Sequence, residues 1–230
     1  MRAVLMAGLL AMMSIADASA ADPVKVTPPL TPVVAPPVAA ASKTYALDTK
    51  KSVLFVIVKN DPSSMLSGFA HDHAIGATGW TGNVTWPTDA GATCSIEIAV
   101  PVSGLEVDPD GYRERAGLDG REVSAEDKAK IKVNFSGPRQ LDAKTYPNIS
   151  FKSTACKGGG TAFMIEGDLT LRGTTRKIVI PMAIKTDGTS FSASGKFTIR
   201  GSDFGMSPFS AAGGTLRNQD SLTFVIDAKS

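Results

Sequence analysis

The 230-residue sequence contains little of what most catalytic or metal-dependent sites require. Two cysteines and two histidines are too few for a disulfide-dense scaffold and argue against a multi-ligand zinc or iron–sulfur site. The formal net charge is only +2, which is not the basic excess of proteins that bind nucleic acid or anionic membranes. The chain has no Gly-x-Ser-x-Gly elbow and no phosphate-binding loop. These absences predict a protein that is not an enzyme, carries no cofactor and binds no nucleic acid.

The first 42 residues do not look like part of a folded core. Residues 1–20 have the pattern of a cleavable signal peptide, with an arginine near the start, an apolar stretch and small residues before the cleavage site. That stretch is shorter than the roughly 20 residues of a membrane-spanning helix, and no later segment is long enough either. Residues 21–42 hold six of the 14 prolines, which predicts an extended linker or a disordered leader. Residues 43–230 remain as one exported domain without a transmembrane segment.

The rest of the chain alternates between apolar and polar residues, and its 22 glycines suggest many turns. Alternation is typical of strands that bury one face. Its clearest examples are residues 163–171, 177–185, 190–199 and 222–227, and weaker ones are residues 52–59, 74–86, 94–102 and 148–156. Short turns between most of these segments predict an all-β, antiparallel fold of about eight strands. Either a sandwich or a closed barrel would bury the apolar faces.

One segment departs from this alternation and predicts a short helix. Ser124 followed by Asp127 has the form of an N-cap with an acidic residue in the first turn. We expect the helix to run to about Asn134 and to stop before residues 137–138, a Gly-Pro pair. A single helix in such a fold would cover one mouth or edge of the sheet.

Four sequence blocks, in order over almost the whole domain, resemble a known family. They are residues 45–48 (YALD), 146–154 (YPNISFKST), 166–176 (EGDLTLRGTTR) and 203–206 (DFGM). On these blocks the chain resembles the YceI-like family of bacterial proteins. That resemblance implies a lipocalin-like barrel that holds a polyisoprenoid or a similar amphiphilic lipid in the periplasm. A homodimer is one arrangement that the sequence allows.

The resemblance and the alternation together predict which side chains line a ligand cavity. These side chains share the parity that a single-sided strand would turn inward. In residues 52–59 both the odd-numbered and the even-numbered positions are apolar, so the pattern does not distinguish the inward face of this strand from the outward face. The predicted cavity residues are Phe55, Ile57, Ile96, Ile98, Phe151, Phe163, Ile165, Leu169, Ile180, Met182, Phe197 and Phe224.

The most concentrated polar motif is His71-Asp72-His73, which is similar to a Gly-His-Asp-His element of one branch of the family. In an extended segment the two imidazoles share a face and could ligate zinc or copper, but the sequence shows no third ligand. Alternatively, the histidines form hydrogen bonds at a barrel mouth. The competing function is therefore a periplasmic metal- or redox-linked protein that uses His71 and His73. The carboxylates of residues 108–122 alternate with arginines and predict a solvated loop.

Cys94 and Cys156 begin one predicted strand and end the next, and antiparallel neighbours would bring these positions together. An oxidising compartment favours a disulfide between them. The alternation of the strands argues against this disulfide. Cys94 shares a strand face with apolar residues, whereas Cys156 shares a face with Lys152 and Thr154, so the two side chains would point to opposite sides of the sheet. We predict the disulfide and expect an irregularity near a strand end to reconcile the two.

Overall fold

The computed structural model describes residues 41–88 and 93–230. The predicted signal peptide, residues 1–20, and residues 21–40 of the predicted leader lie outside the described residues. Within the described ranges, no helix is both long and apolar enough to cross a membrane.

The described residues form an antiparallel sheet that curls into a barrel. Its strands are β1 (Ser42–Ala46), β2 (Val53–Asn60), β3 (His73–Ala77), β4 (Thr81–Pro87), β5 (Ser95–Pro101), β6 (Leu105–Val107), β7 (Asn148–Gly159), β8 (Ala162–Leu171), β9 (Thr174–Thr186), β10 (Phe191–Arg200), β11 (Ser210–Ala211) and β12 (Leu216–Lys229). The hydrogen-bonded order is β1-β4-β5-β7-β8-β9-β10-β12-β2-β3-β6, and β11 pairs with β12. The predicted all-β antiparallel barrel is confirmed.

The predicted number of about eight strands is wrong, because the described part of the chain has twelve. The segment 74–86 is two strands, since Gly79 turns the chain in the left-handed region at φ +65°. Strands β1, β6 and β11 have five residues or fewer. Runs this short show too little alternation to be recognised in the sequence.

Chain connectivity requires the sheet to curl. Strands β3 and β4 are joined by three residues, yet β3 is near one end of the strand order and β4 is near the other. Strands β5 and β6 are likewise joined by the short 3-10 segment Val102–Gly104. Both connections bring the two ends of the sheet together, so the inward faces enclose one apolar interior. Buried residues from β1, β3–β6, β8–β10 and β12 form its main core cluster.

Two α-helices of the described residues pack on the barrel: α1 (Tyr112–Ala116) and α2 (Ala125–Ser136). Helix α2 confirms the predicted helix, since Ser124 caps it by accepting a hydrogen bond from the Asp127 backbone N–H at 3.1 Å. The sequence did not predict α1. This helix covers the outer face of β2 and β3, where Tyr112 packs beside Phe55.

Gly76 makes this outer contact close. A Cβ atom at Gly76 would lie 2.8 Å from side-chain atoms of both Pro109 and Tyr112, so no larger residue fits without a shift of the α1 segment. Strand β2 is therefore covered on both faces, by the barrel interior on one side and by the α1 segment on the other.

Candidate functional site

The barrel interior contains a cavity of about 480 Å³. This volume falls in the range of about 300–1,000 Å³ found for small-molecule sites. The wall is made mostly of aliphatic and aromatic side chains contributed by most of the strands. Most of its polar side chains come from residues 71–73 and from residues 122–134, in and just before helix α2, and form the polar end of the cavity. A long apolar molecule with a polar end matches this distribution.

Ten of the twelve predicted cavity residues belong to the cavity wall. They are Phe55, Ile96, Ile98, Phe151, Ile165, Leu169, Ile180, Met182, Phe197 and Phe224. Their contact with a ligand stays a prediction. Phe197 and Phe224 are cross-strand partners whose rings stack with centroids 4.9 Å apart, which gives the wall a flat aromatic surface.

The inward-facing residues of β2 alternate with the ones that we predicted from the sequence, so the predicted inward face of this strand is wrong. Ile57 is 4% exposed but belongs to the cluster under α1 and does not contribute to the cavity wall. Phe55 adds to the wall, although its ring packs in that outer cluster, 5.5 Å from the Tyr112 ring. The inward side chains are Leu54, Val56 and Val58, which pack against the main core and line the cavity.

Phe163 also lies off the cavity. It packs against the main core, with its ring in an edge-on contact with Trp86 at 5.0 Å between centroids. The Trp86 ring in turn lies 5.7 Å from the Phe191 ring, so these three aromatic residues fill one region of the barrel interior. Trp80, by contrast, lines the cavity.

Several residues that line the cavity lie outside the strands, so the alternation of apolar and polar residues could not predict them. Ile131 and Phe135 reach the cavity from α2. Phe69, in the 3-10 segment Ser67–Phe69, lines the opening while 83% of its surface is exposed. A helix laid across a barrel mouth contributes side chains at helical spacing, and nothing in its sequence says that they face a cavity.

Both histidines of the motif line the cavity, and their ring centroids are 6.3 Å apart. His73 begins β3 on the inward parity of Ile75 and Ala77. Its Nδ1 lies 2.8 Å from Oδ2 of Asp108, and 13% of its side chain is exposed. The Nδ1 atom of His71 is buried and has no hydrogen-bond partner in the described part of the chain.

Asp108 is the buried centre of this polar cluster and corrects the expectation of a solvated loop. Its side chain is 1% exposed, and its Oδ1 accepts the backbone N–H of Ala74 at 2.8 Å. Arg113 Nη1 lies 3.2 Å from Oδ2, so one carboxylate joins His73, β3 and α1. Its backbone adopts φ +44°, a left-handed conformation that aspartate tolerates better than most residues.

The charge state of Asp108 follows from these contacts. Burial by itself would raise the pKa of this carboxyl. The hydrogen bonds from His73 and from the Ala74 N–H, together with the Arg113 charge, outweigh burial and hold the pKa below its ordinary value of 3.8. Asp108 is therefore an ionised hydrogen-bond acceptor at neutral pH.

We expect Asp108→Asn to lower the free energy of unfolding by about 2 kcal/mol at pH 7, because hydrogen bonds to a charged group are lost. The Asp108 pKa is lower in the folded chain than in the unfolded chain. Its stabilisation is therefore complete above the unfolded-state pKa and disappears as the pH falls through the folded-state pKa. Urea unfolding at pH 7 and at about pH 3 should show the difference between wild type and variant shrinking in acid.

Asp119→Asn is the matched control for this variant. Asp119 also pairs with Arg113, but 44% of its side chain is exposed, so its loss should lower the free energy of unfolding much less than the loss of Asp108. Equal destabilisation by the two variants would contradict the central role of Asp108.

The polar cluster does not provide the third ligand that a metal site would need. No group of three or more His, Cys, Asp or Glu side chains within residues 41–88 and 93–230 is arranged to hold a metal ion. Asp72, between the two histidines, instead accepts the backbone N–H of Asn60 at 2.8 Å. Asp108 Oδ2 is turned to the Nδ1 of His73 and to Arg113, so it holds the imidazole in place.

Cys94 and Cys156 are joined in a disulfide, with their Cα atoms 6.1 Å apart. The parity conflict disappears because β7 contains a β-bulge. The pairing of β7 with β8 skips Thr154, and beyond it Cys156 lies opposite Ile165, which is buried in the interior. The extra residue turns the Cys156 side chain to the same face as Cys94, and both pack against the main core.

Comparison with known proteins agrees with this architecture. The YceI-like domain profile matches residues 45–229. BcnA of Burkholderia cenocepacia is 19% identical with a TM-score of 0.57, and the match covers 80% of this chain and 99% of that one. The Campylobacter jejuni YCEI protein is 15% identical with a TM-score of 0.43, over 82% of this chain and 83% of that one. No curated protein matches the chain. The profile match spans most of the sequence, and the chain therefore belongs to the YceI-like family.

Proposed function

We propose that this protein is an exported binding protein that holds a polyisoprenoid or another amphiphilic, lipid-like molecule in its barrel cavity. The observation that carries this proposal is the apolar cavity of about 480 Å³ with polar side chains at one opening. Each methylene group that leaves water for such a cavity contributes about 0.8 kcal/mol, so a chain of several isoprene units binds without any charged contact. Membership of the YceI-like family supports the same ligand class.

The proposed location is the periplasm. Residues 1–20 have the pattern of a cleavable signal peptide, and the Cys94–Cys156 disulfide suits an oxidising compartment. An amphiphile that is poorly soluble in water needs a carrier there, and a barrel that encloses the apolar part meets that need. The proposed role requires neither a cofactor nor a catalytic residue.

Native mass spectrometry of protein purified without detergent from its own cell envelope tests the proposal. We expect a retained mass that is extracted into organic solvent and that disappears after delipidation. The delipidated chain should then bind farnesol, followed by quenching of tryptophan fluorescence, since Trp80 lines the cavity.

Two results would count against a lipid-binding role. One is a chain that carries no lipid and whose fluorescence does not respond to farnesol. The other is a retained metal ion that a chelator removes, which would favour the competing use of His71 and His73. The same spectra report whether the chain forms the homodimer that the sequence allows.

A further inference from the structure

Among the described residues, the polar end of the cavity has no cation that is free to bind an anionic head group. Lys130 is the only lysine or arginine among the described residues of the cavity wall. Its ammonium lies 2.7 Å from Glu126 Oε1 and 3.5 Å from Asp127 Oδ1, so it is already paired. Two carboxylates, those of Glu122 and Asp127, belong to the same wall. These charges disfavour a phosphate or carboxylate at the mouth.

His73 presents a hydrogen-bond acceptor to the cavity. Its Nδ1 faces the ionised carboxylate of Asp108 at 2.8 Å, so the hydrogen of the neutral ring resides on Nδ1. The second ring nitrogen, Nε2, then carries a lone pair. It lies on the side of the ring away from Asp108, and His73 is on the inward parity of β3. Arg113 also pairs with Asp108 Oδ2, which holds the carboxylate and therefore the His73 ring in place.

His71 provides a second polar group beside the first. Its Nδ1 is buried without a hydrogen-bond partner among the described residues, which is costly unless something else supplies one. The two ring centroids are 6.3 Å apart, so His71 lies beside His73 at the same end of the cavity.

We propose that the bound amphiphile places a neutral hydroxyl head, that of an alcohol or a phenol, at this mouth and donates its hydrogen bond to Nε2 of His73. This inference rests on the proposed function and adds the chemical class and the orientation of the ligand. The apolar tail extends into the barrel toward the stacked rings of Phe197 and Phe224.

Three ligands with one tail test the proposal: farnesol, farnesyl methyl ether and farnesyl phosphate. Binding of each ligand to the delipidated wild type, purified from its own cell envelope, is measured by tryptophan quenching. The ether cannot donate a hydrogen bond, so we expect farnesol to bind about fivefold more tightly than the ether. Farnesyl phosphate should bind more weakly than farnesol.

The variant His73→Asn tests whether the preference for farnesol over its ether depends on Nε2 of His73. The asparagine amide can still donate to Asp108 but has no counterpart of Nε2. We expect the preference for farnesol over the ether to fall below about twofold, with ether affinity unchanged. Glu106→Gln, on the exposed face of β6 and outside the cavity wall, is the control and should keep the wild-type preference.

Each contrary outcome has a separate meaning. Equal binding of farnesol and its ether to wild type, or tighter binding of the phosphate, overturns the hydroxyl head while leaving the apolar site intact. A preference for farnesol that His73→Asn retains in full overturns the assignment to His73. Failure of all three ligands to bind overturns the proposed function itself. The wild-type comparison decides the head-group class even if His73→Asn does not fold.

Discussion

The double variant Cys94→Ala/Cys156→Ala should lose about 4 kcal/mol of unfolding free energy. The disulfide closes a loop across a sequence separation of 62 residues, and a cross-link of that span restricts the unfolded chain by roughly this amount. Urea unfolding at neutral pH, extrapolated to water, measures the difference. The folded barrel itself should persist, because the twelve strands of the described residues are paired through backbone hydrogen bonds.

Reduced wild-type protein is the control for side-chain volume. It keeps both sulfur atoms but not the bond, so its stability should match that of the double variant within about 1 kcal/mol. The double variant should be unaffected by reductant. An oxidised and a reduced wild type of equal stability would contradict the predicted contribution of the cross-link.

Val56→Trp should weaken farnesol binding by at least tenfold. Val56 lies in the middle of β2 on the inward parity and lines the cavity. An indole at this position occupies space that the ligand needs, and displacing about three methylene groups costs about 2.4 kcal/mol, or roughly fiftyfold in affinity. Titration with farnesol, alongside circular dichroism to verify the fold, measures the effect.

Lys59→Trp is the matched control on the same strand. Lys59 is exposed on the outer parity, so the same indole there leaves the cavity volume unchanged. Its farnesol affinity should stay within about twofold of wild type. Unchanged affinity in Val56→Trp would mean that the ligand does not occupy the barrel interior.

The long strands were predictable because each has one buried and one solvated face. In β8, Ile165, Leu169 and Leu171 are buried in the core, whereas Met164 on the other parity is exposed. The direction of β2 was not predictable, because α1 covers its outer face and makes both parities apolar. A strand that is packed between two apolar layers has apolar residues on both faces, so its sequence does not show which face points into the barrel.

The polar cluster at the mouth was only half visible in the sequence. His71 and His73 are two residues apart in the chain, and their place at the opening follows from the start of β3. Asp108 is 35 residues from His73 in a polar stretch that also contains Asp110. Only the pairing of β3 with β6 selects Asp108, because it places this carboxylate directly beyond Val107, which is opposite Ile75.

The bulge at Thr154 makes the disulfide depend on how the strands are aligned. With the native pairing of β5 and β7, the extra residue turns the Cys156 sulfur inward to meet Cys94. If β7 paired with β5 one residue out of step, the Cys156 sulfur would face the opposite side of the sheet and could not reach Cys94. The bulge therefore ties formation of the disulfide to the native alignment of β7 with β5.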